Sequence, residues 1–214
     1  NNSKVVNAGI ITCNSVYGRL HGNSDSSRNT TAGTNSGNDG TWSGATDNTL
    51  IGYDAGTAIT SGDYNTAVGS YALDSTTTGR SNVAAGFGAL NVNTTGSYNI
   101  AIGSGVLDAN TTADDNTGIG DAALSANTTG TQNTAVGKNA LNSNTTASNN
   151  TAVGRNSLLS NTTGADNTTV GRSSLSANTT GDSNVAVGKA ALSANTTADN
   201  NTAVGHLSLT TNTT

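Results

Sequence analysis

Five basic side chains recur every 17 residues in the second half of the chain, each directly after a glycine: Lys138, Arg155, Arg172, Lys189 and His206. If one repeat forms one coil of a stacked structure, neighbouring cations would lie about 4.8 Å apart. Like charges at that spacing repel unless they are screened or paired. Two interpretations stay open. The column is a solvated edge that pairs with acidic residues, or it is a contact strip for an anionic ligand or surface. The acids, at another corner of the repeat, are Asp114, Asp115, Asp166, Asp182 and Asp199.

Aromatic side chains have the opposite distribution, because none occurs after residue 98. Sugar binding favours exposed aromatic faces, so a glycan site is expected in the first half. Its candidate contact residues are Trp42, Tyr53, Tyr64, Tyr71, Phe87 and Tyr98.

Residues that would support catalysis or bind a metal are sparse. The two histidines, His21 and His206, lie far apart in the chain, and no Cys/His cluster suits zinc. No G-x-x-x-x-G-K-[S/T] phosphate loop occurs. The aspartates lack the D-x-D-x-D spacing of calcium-binding loops. We therefore expect neither an enzyme nor a cofactor or metal.

All these positions belong to a strict repeat. Its glycines run from Gly52 to Gly205 in nine steps of 17 residues without a slip. Asn precedes each glycine by four residues, and Leu follows it by four in nine of ten units, with Gly56 as the exception. The unit reads N-[T/V]-A-[V/I]-G-x-x-A-L-x-x-N-T-T-[G/A]-x-x. A fixed period this short predicts a solenoid.

The repeat is too short for helices, since helical repeats need about 30–45 residues. Asn, Thr and Gly are poor helix formers, and T-A-V alternates as a short strand does. We predict an all-β fold for residues 48–214, a β-solenoid (parallel β-roll) of about ten coils. Each coil would contain two or three short strands and tight turns. The Val and Leu of each unit, such as Val153 and Leu158, are predicted to point inward.

Identical residues of successive coils would stack in ladders. Asn amides can pass hydrogen bonds from coil to coil. We therefore assign a structural role to Asn133, Asn150, Asn167, Asn184, Asn201, Gly137, Gly154, Gly171, Gly188 and Gly205. The N-T-T triplets also match the N-glycosylation acceptor pattern, so a decorated secreted chain is the alternative interpretation.

The composition favours association with other chains. The chain is 32% hydrophobic and 10% charged, with no Pro, against about 45–50% and about 25% in globular domains. Each coil would bury little apolar area, while ordering costs about 1.5 kcal/mol per residue. We expect a homo-oligomer, first of all a side-by-side trimer, and a monomer or another assembly is left open. The net charge of −5 argues against a nucleic-acid partner, and no 18-residue apolar run predicts a membrane span.

Two stretches carry a resemblance to a known family. Y-N-T-A-V-G at 64–69 and S-N-V-A-V-G at 183–188 are similar to the head repeats of YadA-type trimeric autotransporter adhesins, which read approximately N-S-V-A-I-G. N-T-A-V-G…A-L…N-T-T-G also resembles repeats of phage tail-fibre-like and large bacterial surface proteins. The resemblance covers about residues 48–214 and implies a surface-exposed β-roll with three chains side by side. The adhesin unit is shorter than 17 residues, and the resemblance identifies no ligand.

Residues 1–47 are less regular, and we interpret them as an N-terminal cap or contact region. N-S-V-Y-G at 14–18 places Gly18 two repeats before Gly52. This segment would continue the open last coil of another copy, head to tail, in a contact that need not close; a chain cut from a longer protein is the alternative. Cys13 is the only cysteine, so no intrachain disulfide forms.

Three function classes follow. The leading one is an extracellular structural or adhesive fibre, or a surface-filament module, on a cell surface or a virion. The second is an ice-binding solenoid that presents Thr94, Thr111, Thr128 and Thr145 as a regular column. The third is the glycan-binding head of a tail fibre.

Overall fold

The computed structural model describes residues 21–22, 28–37 and 43–213, which form an all-β solenoid without a helix. Strand β1 (His21–Gly22) pairs antiparallel with β2 (Thr30–Ala32). The strands that follow are β3 (Thr49–Ile51), β4 (Thr66–Val68), β5 (Val83–Ala85), β6 (Ile100–Ile102), β7 (Thr117–Ile119), β8 (Thr134–Val136), β9 (Thr151–Val153), β10 (Thr168–Val170), β11 (Val185–Val187) and β12 (Thr202–Val204). Cys13, Trp42 and the segment 14–18 lie outside the described residues.

Strands β2 to β12 form one parallel sheet in chain order. From β3 onward each residue pairs with the residue 17 positions further on, as Ala135 pairs with Ala152. The predicted β-solenoid of about ten coils is therefore confirmed. The parallel ladder begins one coil before residue 48, because β2 already pairs with β3.

Each coil contains one strand of three residues, not the two or three strands predicted. The chain turns at the repeat glycine, whose φ lies between +119° and +144° in the ten units. Left-handed residues follow, such as Asn139 (φ 55°) and Leu141 (φ 52°), and they prevent further extended backbone. Hydrogen bonds between coils continue through these turns, as from Leu141 N to Ser157 O at 3.0 Å.

The orientation of the strands corrects the sequence prediction for valine. Only the middle residue of each strand is buried, so Ala152 is 0% exposed while Thr151 and Val153 are half-buried on the other side. Leu158 is 0% exposed, as predicted. The buried Asn150 lies two residues before Ala152 and fixes this alternation, since period two then turns Val153 outward. The interior is a narrow stack of Ala, Leu and Asn columns.

Departures from the repeat compensate one another inside the core. Where Gly56 replaces the usual Leu, Leu50 replaces Ala and Ile59 replaces Asn. A Cβ atom on Gly56 would lie 2.8 Å from Leu50 Cδ2 and 3.0 Å from Ile59 Cδ1. The two larger side chains therefore fill the space of the missing leucine.

A second group of substitutions introduces polar groups into the core together. Thr169 replaces the strand alanine, and Ser157 and Ser174 replace the alanine three residues after the repeat glycine. The Ser157 hydroxyl lies 2.7 Å from Thr169 Oγ1 and 2.9 Å from Ser174 Oγ. Throughout the described residues, every buried side-chain nitrogen or oxygen has a hydrogen-bond partner.

Candidate functional site

One side of the sheet presents four columns of side chains, and we call it the outer face. Its residues lie five, three and one positions before each repeat glycine and one position after it. Around β10 these are Asp166, Thr168, Val170 and Arg172, all exposed, whereas the intervening Asn and Thr are buried. The outer face therefore continues the alternation of the strand by one residue pair at each border.

The large exposed apolar side chains converge on this outer face. Of the fourteen that the described residues contain, eleven belong to its four columns. These are Ile51, Tyr53, Tyr64, Val68, Phe87, Tyr98, Ile100, Ile102, Ile119, Val170 and Val204. A contiguous exposed apolar patch of this kind marks an interaction site.

The aromatic candidates lie at both borders of the outer face. Tyr53 and Phe87 follow the repeat glycine, and Tyr71 lies between them. The ring centroids of Tyr53 and Tyr71 are 5.4 Å apart, and those of Tyr71 and Phe87 are 5.8 Å apart, both edge to face. The carboxylate of Asp54 raises the pKa of the Tyr53 phenol.

The other two aromatics occupy the opposite border. Tyr64 is 60% exposed and Tyr98 is 49% exposed. The Arg80 guanidinium lies 5.5 Å from the centroid of the Tyr98 ring. The structure therefore divides the predicted aromatic cluster into two strips, separated by the Thr and Val columns.

The predicted basic strip forms one border column of the outer face. Lys138, Arg155, Arg172, Lys189 and His206 are all exposed. Lys138 Nζ lies 2.7 Å from Asp121 Oδ2, and Asp121 occupies the same column one coil earlier. Within the part of the chain that the structure describes, the other four form no ion pair. The cations from Arg155 onward thus face solvent.

The acidic corner has a structural role that sequence reasoning missed. The Oδ1 atoms of Asp114 and Asp182 each accept a hydrogen bond from a backbone N–H of the preceding coil, at Ser97 and Ala165, both at 2.7 Å. Ser148 occupies the same column and accepts one through Oγ from Thr131 N at 3.0 Å. The mixture of Asp and Ser in this column was the available signal, since both are short acceptors.

The asparagine ladder joins successive coils. Asn150 N donates to Asn133 Oδ1 at 3.0 Å, and Asn150 Oδ1 accepts from Asn167 N at 3.0 Å. Its Nδ2 donates to Gly164 O at 2.9 Å. Asn184 and Asn201 repeat the backbone contact with the ladder. Each side chain thus satisfies backbone groups at the corner where the strand begins.

The N-T-T asparagines form a second buried ladder. Asn144 is 0% exposed, and its Nδ2 donates to Asn127 Oδ1 at 2.8 Å and to Ala147 O at 2.9 Å. The amide nitrogen to which a glycan would be attached is therefore engaged inside the folded chain. This finding argues against decoration of the folded protein at this column.

The threonines of the same triplets lie at the surface in two columns. The predicted ice-contact residues, such as Thr94, are half-buried, and Thr94 Oγ1 donates to Thr111 O of the next coil at 3.0 Å. The next residue of each triplet is exposed: Thr78, Thr95, Thr112, Thr129, Thr146, Thr163, Thr180 and Thr197.

The glycine ladder permits close stacking. A Cβ atom on Gly154 would lie 2.6 Å from both the carbonyl carbon and the oxygen of Gly171, and φ at Gly154 is 132°. The close approach and the left-handed backbone therefore both require glycine here.

A shallow groove lies on the turn side, lined by Val92, Asp108, Ala109, Ser125 and Ala126. Burial raises the pKa of the Asp108 carboxyl. Among the described residues, no three His, Cys, Asp or Glu side chains come together as metal ligands would. Nor does the described chain contain a helix that is long and apolar enough to cross a membrane.

Comparison with known proteins gives no relative. No family model, no curated protein and no solved structure matches this chain.

Proposed function

We propose that the chain is a structural module of an extracellular fibre or surface filament, and that its copies assemble side by side through the outer face. The observation that carries the proposal is the convergence of eleven of the fourteen large exposed apolar side chains on that face. The turn sides of the solenoid carry mostly Thr, Ser and Asn. Only one side therefore has the composition of an interface core.

The size of the outer face suits a second copy. Ten coils at about 4.8 Å extend for about 48 Å. Seven residues from border to border, at about 3.3 Å each, extend for about 20 Å. The product is about 900 Å², close to the roughly 800 Å² that each partner contributes to a stable interface.

The regular spacing of the outer face also favours an identical partner. Ridges of Val and Ile recur at the interstrand distance, so the ridges of one copy fit between those of another with the same period. The interior of a single solenoid is narrow, and lateral packing would bury additional apolar surface. The resemblance of the repeat to trimeric adhesin heads supports three copies, a cell-surface location and an adhesive role.

Two matched pairs of substitutions test the proposal. Ile102→Lys with Ile119→Lys places charges in the centre of the outer face. Thr112→Lys with Thr129→Lys places the same charges on the turn side. Sedimentation velocity should show that the first variant associates at least about thirtyfold more weakly than the unmodified chain, because buried central residues dominate interfaces. The second variant should associate normally. Equal behaviour of the two variants would contradict the proposal.

Ice binding is the second candidate, favoured by the exposed Thr column that includes Thr112 and Thr129. These hydroxyls repeat once per coil, at about 4.8 Å. If this column binds ice, the unmodified chain should show thermal hysteresis, and the variant Thr112→Lys with Thr129→Lys should lose it. Absence of hysteresis in the unmodified chain would remove this candidate.

A further inference from the structure

The two borders of the outer face carry opposite charges in the second half of the solenoid. Asp166 lies two residues before β10, and Arg172 lies two residues after it. At the next coil, Asp182 precedes β11 and Lys189 follows it. All four side chains are exposed. One border of each of these coils is therefore acidic, and the other is basic.

This asymmetry discriminates between the two ways in which identical faces can meet. A rotation about an axis parallel to the solenoid brings the basic border of one copy to the acidic border of the next, at the same coil. A two-fold axis across the solenoid reverses the second copy and brings basic border to basic border. Like charges across an interface disfavour that arrangement.

We infer that the copies lie parallel and in register, with Arg172 of one copy against Asp166 of the next and Lys189 against Asp182. This inference rests on the proposed side-by-side assembly and specifies its partner as a second copy in one orientation. It holds for two copies and for three, since every rotation about a parallel axis joins unlike borders.

The first half of the outer face agrees with the parallel arrangement. Tyr53, Tyr64, Phe87 and Tyr98 lie there, and a parallel partner presents the same aromatic coils at the same level. At the coil of Gly120 both borders carry a carboxylate, Asp115 and Asp121, and Lys138 neutralises Asp121 within its own chain. A reversed partner would instead place the aromatic half against the cationic half.

Charge reversal within one chain tests the pairing. Asp occurs in the basic column at Asp121, and Arg occurs in the acidic column at Arg28, so both residue types are tolerated there. Arg172→Asp alone should weaken association about tenfold, because it places carboxylates on both borders. Adding Asp166→Arg to the same chain should restore association. Failure of the second substitution to restore it would contradict this pairing.

Distances between spin labels test the orientation independently. Single cysteines at Thr78, Thr129 and Thr180, in a Cys13→Ser background, lie three coils apart in one exposed column. Double electron–electron resonance should give one intermolecular distance for all three sites if copies are parallel. A reversed assembly requires axial separations that differ by about 29 Å between at least two sites, from coils of about 4.8 Å.

The outcomes separate the two proposals. A chain that does not associate would overturn the side-by-side assembly itself. A chain that associates with unequal label distances would overturn only the parallel orientation.

Discussion

Ala152 and Val153 are neighbours in sequence but lie on opposite sides of the parallel sheet. Ala152 has 0% solvent exposure inside the solenoid, and Val153 is half-buried on the outer face. The same relationship recurs in β4, β8, β11 and β12 with an Ala-Val pair. The most apolar strand residue of each repeat is thus available to a partner.

Aspartate substitutions should distinguish these two positions. Ala152→Asp should destabilise the solenoid by several kcal/mol, because it buries a carboxylate without a partner. Val153→Asp should change the free energy of unfolding by about 1 kcal/mol or less. Urea unfolding monitored by circular dichroism measures both. A loss of folding in Val153→Asp would show that the orientation of the strand is wrong.

Removal of one ladder amide should be costly. Asn150→Ala leaves Asn167 N and Gly164 O without their partners, at about 1–3 kcal/mol for each buried group. Asn149→Ala is the matched control, because the neighbouring Asn149 is exposed. Urea unfolding should show a loss of about 2–6 kcal/mol for the first variant and little change for the second. Equal losses would argue against the ladder.

A glycine substitution should separate steric contact from backbone conformation. Gly154→Ala brings a Cβ atom to 2.6 Å from Gly171, whereas a Cβ atom on Gly88 would meet nothing within 4 Å. Both glycines have positive φ, and alanine already occupies the Gly88 column at Ala122 with φ 55°. Thermal unfolding should show a severe loss for Gly154→Ala only. A tolerated Gly154→Ala would contradict the close stacking of coils.

The basic column should be dispensable for folding. Ser70 and Ser104 occupy the same column in earlier coils. Replacement of Lys138, Arg155, Arg172 and Lys189 by Ser should therefore leave the melting temperature nearly unchanged at low protein concentration, because exposed charges contribute little to stability. The same variant should bind anionic surfaces less, with a weaker dependence on salt. Binding that is unchanged would exclude the anionic-contact interpretation.

The Arg28–Asp47 pair predicts an acid-dependent contribution to stability. The hydrogen bond from Arg28 lowers the pKa of the Asp47 carboxyl below 3.8. A carboxylate with a lowered pKa stabilises the fold above its unfolded pKa, and the contribution is lost as the pH falls through the folded value. Carboxyl carbon NMR should place the Asp47 pKa below 3.8, and Arg28→Gln should raise it. An unchanged Asp47 pKa in that variant would contradict the pairing.

The repeat predicted the architecture well because a 17-residue period restricts the chain to stacked coils. Leu158, Asn150 and Gly154 lie where their columns predicted. Val153 was assigned to the wrong side, because hydrophobicity alone cannot set the phase of a three-residue strand; the buried Asn150 sets it. The pairing of Lys138 with Asp121 was missed, because it joins two coils through one variable column. The sequence also predicted the aromatic and basic groups separately, whereas the shared parity around each strand places most of them on one face.

The solution mass of the unmodified chain tests the central claim most directly. Sedimentation equilibrium over a range of concentrations should give a multiple of the 21.0 kDa protomer mass, with three copies for the trimer, and the mass should fall on dilution. A mass of 21.0 kDa at every concentration would contradict assembly through the outer face.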